Sequence, residues 1–144
     1  MPATSATRDN GRVLPRLLVV EDDQLLNELL VRYFGDREFD VTSARDGMEA
    51  LYLLAKHRPD VLLLDAQMPR MDGVQLLKEM RSQGVRLPVV LLTGYAGMFN
   101  PDDTASLRKL GVMAILSKPC EFRILHDAVR GLIEQPIPST LAGG

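Results

Sequence analysis

The chain has 144 residues, 46% apolar and 25% charged, enough to bury the core of one globular domain. A net charge of −2 with no run of Lys or Arg argues against nucleic acid as a partner, and no apolar stretch approaches the ~20 residues that span a bilayer. The lone cysteine, Cys120, excludes an internal disulfide, and with two histidines it leaves no Cys/His zinc cluster.

Met1 to Pro15 lacks the apolar core of a secretory signal and reads as a polar, disordered arm, so a cytoplasmic chain is the default expectation. Residues 16–134 then alternate strand and helix patterns. Arg16 to Val20 is a first strand. A helix follows, with Asp22 or Asp23 as its cap and Leu25, Leu26, Leu29, Leu30 and Tyr33 at helical spacing. Phe39 to Ser43 alternates Phe39 and Val41 inward with Asp40 and Thr42 outward, the pattern of a half-exposed edge strand.

Gly47 to His57 is a second helix with Ala50, Leu51, Leu54 and Ala55 on its apolar face, and Asp60 to Leu64 is a third strand. A third helix starts at Asp72-Gly73, turns Val74, Leu77 and Met80 inward, and stops at Gly84. Pro88 opens a fourth strand, and a loop rich in breakers separates it from a fourth helix over about Asp102 to Leu110. Val112 to Leu116 is the fifth strand. A last helix over about Glu121 to Glu134 turns Phe122, Leu125, Ala128, Val129, Leu132 and Ile133 inward; residues 135–144 read as a flexible tail.

Five βα units imply an α/β fold, a three-layer α/β/α sandwich around a five-stranded parallel sheet. The amphipathic second strand belongs at an edge, which favours the doubly wound, flavodoxin-like order 2-1-3-4-5. Ligands then bind beyond the carboxyl ends of the strands, at the switch point between the first and third.

Each buried strand ends on a chemically equipped residue. Leu17 to Val20 runs into Glu21-Asp22, Val61 to Leu64 into Asp65, Val89 to Leu92 into Thr93, and Val112 to Leu116 into Lys118-Pro119 one serine later. Three carboxylates on one rim repel one another, and a divalent cation reverses that. Oxygen-only donors point to a hard cation: Mg²⁺, with Mn²⁺ as a substitute. Asp65 is the residue placed to be a nucleophile, since an aspartate can form an aspartyl-phosphate. Lys118 would neutralise one phosphoryl oxygen, Thr93 would hydrogen-bond another, and Gly94 leaves room for the donor. Taken singly these residues also read as a helix cap, a turn and a surface charge. Cys120 reads as a small hydrophobe behind the fifth strand, and His57 and His126 as helix-surface residues.

Leu-Val-Val-Glu21-Asp22, Asp65-Ala-Gln-Met-Pro-Arg-Met-Asp-Gly73, Thr93-Gly94 and Lys118-Pro119 together resemble the receiver domains of two-component response regulators, in particular stand-alone, chemotaxis-receiver-like members. The resemblance implies a phosphorelay protein in which Asp65 accepts a phosphoryl group from a sensor histidine kinase or phosphotransfer protein. Asp22, Asp65 and the Gln67 backbone carbonyl would ligate Mg²⁺, with Glu21 acting through a coordinated water. Lys118 and Thr93 would read the phosphorylated state, while Gln67 and Tyr95 would tune its lifetime.

Ile115 stands where the family often carries an aromatic residue, three places before the lysine. Ordering of the loop from Gly94 to Pro101, with a shift of the fourth helix, is expected to replace the aromatic swing. The expected chain is a single-domain phosphoacceptor, self-phosphorylating with slow autodephosphorylation and without an output enzyme. It would signal through a downstream protein on the face of helix 4, strand 5 and helix 5, with a homodimer as a further option. The alternatives are a non-phosphorylated pseudo-receiver serving as a binding or dimerisation module, and a hydrolase; the latter typically needs a second acid where Gln67 stands.

Overall fold

The computed structural model describes residues 8–9, 12–68, 71–95, 97 and 99–134. A short antiparallel pairing of Arg8–Asp9 with Arg12–Val13 precedes the main sheet. The rest of the expected arm and the expected tail, residues 1–7, 10–11 and 135–144, lie outside the described residues. Leu14 is buried, and the Pro15 carbonyl accepts from Asp40 N at 2.9 Å.

The main sheet consists of β1 (Arg16–Val20), β2 (Asp40–Ala44), β3 (Val61–Asp65), β4 (Val89–Thr93) and β5 (Val112–Ser117). All pairings are parallel, in the order β2-β1-β3-β4-β5. Helices α1 (Gln24–Gly35), α2 (Gly47–His57), α3 (Gly73–Ser82) and α4 (Pro101–Lys109) fill the four crossovers, and α5 (Phe122–Glu134) follows the last strand. This is the flavodoxin-like, doubly wound arrangement that the strand pattern predicts.

The sheet divides the core in two. Leu18, Val20, Leu62, Leu64, Val89 and Leu91 pack with residues of α2, α3 and α4. Their neighbours Leu17, Val19, Val61, Leu63, Val90 and Leu92 pack with residues of α1 and α5 on the other face. Helices cover both faces of β1, β3 and β4, so these strands must be apolar at successive positions. β2, at the edge, is only partly buried and starts one residue later than its alternation suggests.

In α1 the buried residues are Asn27, Leu30 and Phe34, whereas Leu25 and Leu29, which the sequence pattern places inward, are exposed. With six apolar residues in the first ten of the helix, more than one face satisfies a helical period. Anchoring by the Asp23 cap and packing against α5 select the face that carries Asn27.

His126 corrects a second expectation, because it is no simple surface residue. Its ring lies edge-on to Tyr33 and Phe39, with centroids at 6.2 and 5.9 Å, and tilted against Phe34 at 5.8 Å. Burial foremost, then the Arg130 charge and more weakly that of Arg37, hold its pKa below the ordinary 6.5 against the opposing pull of Asp127. Above the unfolded value the ring is neutral in both states; below it the unfolded chain takes up a proton that the folded one resists, so acidification costs stability. His126→Phe is therefore expected to lose less melting temperature than the parent between about pH 7 and about pH 5, with carboxylate effects common to both proteins cancelling.

Candidate functional site

The rim at the carboxyl ends of β1, β3, β4 and β5 gathers the polar groups, and local chemistry positions each one. Asp23 has extended backbone and its Oδ1 accepts from Leu26 N at 2.9 Å, so it is the cap of α1. Capping thus leaves Asp22 available to the rim. Glu21 N donates to Ala44 O at 3.0 Å, and Glu21 Oε2 accepts from Asp23 N at 3.0 Å, which turns the Glu21 side chain inward. Asp72 and Gln75 form a reciprocal capping box at the start of α3. At Gly73 a Cβ would lie 2.9 Å from Asp65 O, so only glycine lets α3 begin this close to the Asp65 backbone.

Carboxylate oxygens of Glu21, Asp22 and Asp65 all lie within 4.8 Å of one another. Glu21 and Asp65 are 1% and 2% exposed, while Asp22 is the most open of the three. Lys118 Nζ stands 2.8 Å from Glu21 Oε1 and 3.3 Å from Asp65 Oδ2. Glu21 Oε1 is thus buried with the Lys118 ammonium as its charge partner. Burial foremost, and then the Glu21 charge, push the Asp65 carboxyl up to about 7, although the Gln67 amide and Lys118 pull the other way. Burial also works against the Lys118 ammonium, but the Glu21 and Asp65 carboxylates outweigh it and raise its pKa.

Three carboxylates that offer oxygens within 4.8 Å of one another, with no His or Cys among them, fit a hard divalent cation. Thr93 is fully buried at the end of β4, and its hydroxyl oxygen accepts from Gln67 Nε2 at 2.9 Å. Its carbonyl accepts from Lys118 N at 2.7 Å, tying the end of β4 to the lysine.

Residues 17–130 match the family model of the response regulator receiver domain. The chain belongs to that family. This receiver domain is 37% identical over 132 residues to response regulator MprA of Mycolicibacterium vanbaalenii, a match covering 89% of the chain and 54% of that relative. It is 36% identical over 131 residues to response regulator MprA of Mycobacterium leprae, covering 88% and 54%. The chain spans about half the length of these curated relatives.

Among solved structures, the receiver domain of Francisella response regulator 1452 matches with a TM-score of 0.74 at 32% identity, covering 83% of this chain and 97% of that one. Vibrio cholerae chemotaxis protein CheY4 matches with a TM-score of 0.74 at 26% identity, covering 83% and 99%.

Within the receiver domain, the structure brings Glu21, Asp22, Asp65 and Lys118 together and joins Thr93 and Gly94 to them through Gln67. Tyr95 is 67% exposed, and its ring lies against Gly97, where an added Cβ would meet the phenol oxygen at 2.6 Å. Ile115 is half-buried against the core on the α4 side. Residues 96 and 98 of the expected mobile loop lie outside the described residues. Cys120 is half-buried and packs on the α1 and α5 side of the sheet. Beside Lys118 it lines a largely apolar groove of about 420 Å³. No described helix is long and apolar enough to cross a membrane.

Asn27 is the site residue that pattern reading misses. It is 5% exposed, and its Nδ2 donates to Glu21 O at 3.0 Å and to Ala44 O at 3.2 Å, tying α1 to the ends of β1 and β2. The available signal was a polar residue three before Leu30 and seven before Phe34, on the buried face of its helix. Asn27→Leu leaves both carbonyls without this donor and is expected to cost about 1–2 kcal/mol in urea unfolding. By loosening the Glu21–Asp22 turn it should also weaken the rim's hold on an added divalent cation about fivefold, as read by calorimetric titration with Mg²⁺.

Proposed function

We propose that this receiver domain is a Mg²⁺-dependent phosphoacceptor whose acceptor is Asp65, served by a histidine kinase or a histidine phosphotransfer protein. The observation that carries the reading is the convergence of the three carboxylates with Lys118 on two of them at 2.8 and 3.3 Å. Glu21, Asp22, Asp65 and the Gln67 carbonyl would hold the Mg²⁺, which when bound supplies positive charge against the phosphoryl oxygens. An Asp65 oxygen bonds phosphorus as the P–N bond of the donor phosphoimidazole breaks. The electron pair leaves with the ring nitrogen, which is then protonated by solvent. Lys118 offers its ammonium to a second phosphoryl oxygen and Thr93 its hydroxyl to a third.

Gln67 and Tyr95, two residues beyond the acceptor and the threonine, would tune how long the aspartyl-phosphate survives. Output would pass to a protein partner through α4, β5 and α5. A groove of about 280 Å³ between Thr104, Arg108 and the β5 residues Met113 and Ile115 supports that choice of face. With Ile115 in the aromatic position, the loop after Thr93 and α4 would carry the change.

Incubation with acetyl phosphate and Mg²⁺ tests the reading. A mass gain of one phosphoryl group, absent without Mg²⁺, is expected. No gain would leave the pseudo-receiver alternative, and turnover of many equivalents of a phosphomonoester would point to a hydrolase. Size-exclusion before and after phosphorylation reads whether a homodimer forms.

A further inference from the structure

The Gln67 carboxamide bridges two loops that are far apart in the chain. Its Nε2 donates to Thr93 Oγ1 at 2.9 Å, and its Oε1 accepts from Gly94 N at 3.1 Å. The same residue's backbone N donates to Asp65 Oδ1 at 3.1 Å. One planar amide therefore closes a two-point ring on the end of β4 while its main chain is fastened to the acceptor. Thr93 and Gly94 are also where a phosphoryl group on Asp65 would look for donors, because its oxygens only accept.

We propose that Gln67 is a resting-state clamp: its carboxamide stands in for a phosphoryl group on Thr93 and Gly94, and phosphorylation displaces it. This inference rests on Asp65 accepting a phosphoryl group. The exchange balances in hydrogen bonds. The Gly94 N–H passes from an amide oxygen to a phosphoryl oxygen. The Thr93 hydroxyl stops accepting from Gln67 and donates to phosphate.

Space and exposure suit the exchange. A Cβ on Gly94 would meet nothing nearer than Gln67 Oε1 at 4.0 Å, so among the described residues the carboxamide is the nearest neighbour on that side of Gly94. Gln67 is exposed on its outer side, and a groove of about 520 Å³ floored by Met68, Val74 and Phe99 lies beside it to receive the released side chain. Glutamine can clamp both groups because it carries one donor and one acceptor on a rigid plane. Methionine, close in size, has no donor and only a weakly accepting sulfur.

The test uses the full chain and two states. In the metal-free, unphosphorylated protein, amide exchange at Gly94 is expected to be roughly tenfold faster in Gln67→Met than in the parent. The Ala66 amide, bonded to Leu92 O at 2.7 Å, should be unchanged and serves as the check on folding. Adding beryllofluoride and Mg²⁺ to the parent should then move the Gln67 side-chain amide resonances toward free glutamine while Gly94 stays protected. Equal Gly94 exchange in the two resting proteins overturns the clamp. So do Gln67 resonances that stay put while signals around Asp65 shift. If no signal near Asp65 responds to beryllofluoride, the phosphoacceptor reading fails and displacement fails with it, whereas the resting-state comparison still decides whether Gln67 holds the loop.

Discussion

Asp65→Asn is expected to take up no phosphoryl group from acetyl phosphate and to be more stable than the parent at pH 8. The first result follows from the proposed phosphoacceptor role, since the amide removes the charge of the oxygen that would attack. The second follows from burial. Asp65 is 2% exposed, and desolvation together with Glu21 raises its pKa from 3.8 to about 7. Between those values the folded state binds the proton that the unfolded chain releases, so the parent loses stability as pH rises from 3.8 toward 7 and carries the whole penalty above it. After discounting for solvent at the rim, the variant should gain about 1–3 kcal/mol at pH 8. The gain should shrink on acidification and vanish below about pH 4. Mg²⁺ should raise the melting temperature of the parent far more than that of the variant, because the amide brings no charge to the cation. Urea titrations at several pH values check this, and a variant less stable than its parent at pH 8 would contradict the account of the rim.

Lys118→Met is expected to separate metal binding from switching. The ammonium and a divalent cation compete for the same Glu21 and Asp65 oxygens, so its loss should tighten Mg²⁺ binding about tenfold, equivalent to about 1.4 kcal/mol. Without metal the sign reverses. The two carboxylates then face each other without the ammonium, Asp65 moves further up, and stability at pH 8 falls by about 1–2 kcal/mol, since the lysine is 29% exposed and partly screened. That loss should fade as the carboxyl protonates in acid. Beryllofluoride should still bind but no longer protect the amides of α4 and the loop before it, a difference that hydrogen exchange reads directly. Unchanged protection would remove Lys118 from the readout.

The sheet was legible because burial on both faces leaves so little choice. Leu17 to Val20 and Val61 to Leu64 must be apolar at every position to serve two cores, and the alternation after Phe39 gives away the edge. The rim was legible for the same reason, since each run ends at, or one residue before, the end of its strand. Side-chain direction was harder. Leu25 and Leu29 fit a helical period as well as Asn27, Leu30 and Phe34, and only the packing of α1 against its neighbours distinguishes the two faces. Gln67 was visible as a position but not as a bridge, because its partners lie 26 and 27 residues further along the chain. No periodicity encodes a contact made by an amide reaching between two loops.

Cys120 gives this molecule a built-in handle. It is the sole thiol of the sequence, half-buried two residues beyond the lysine of the rim. A maleimide dye attached there would sit in the groove beside Lys118 and sense the site without any engineered cysteine. Burial and the neighbouring Glu121 charge hold the thiol pKa up, so coupling should be slow at neutral pH and quicken in mild alkali.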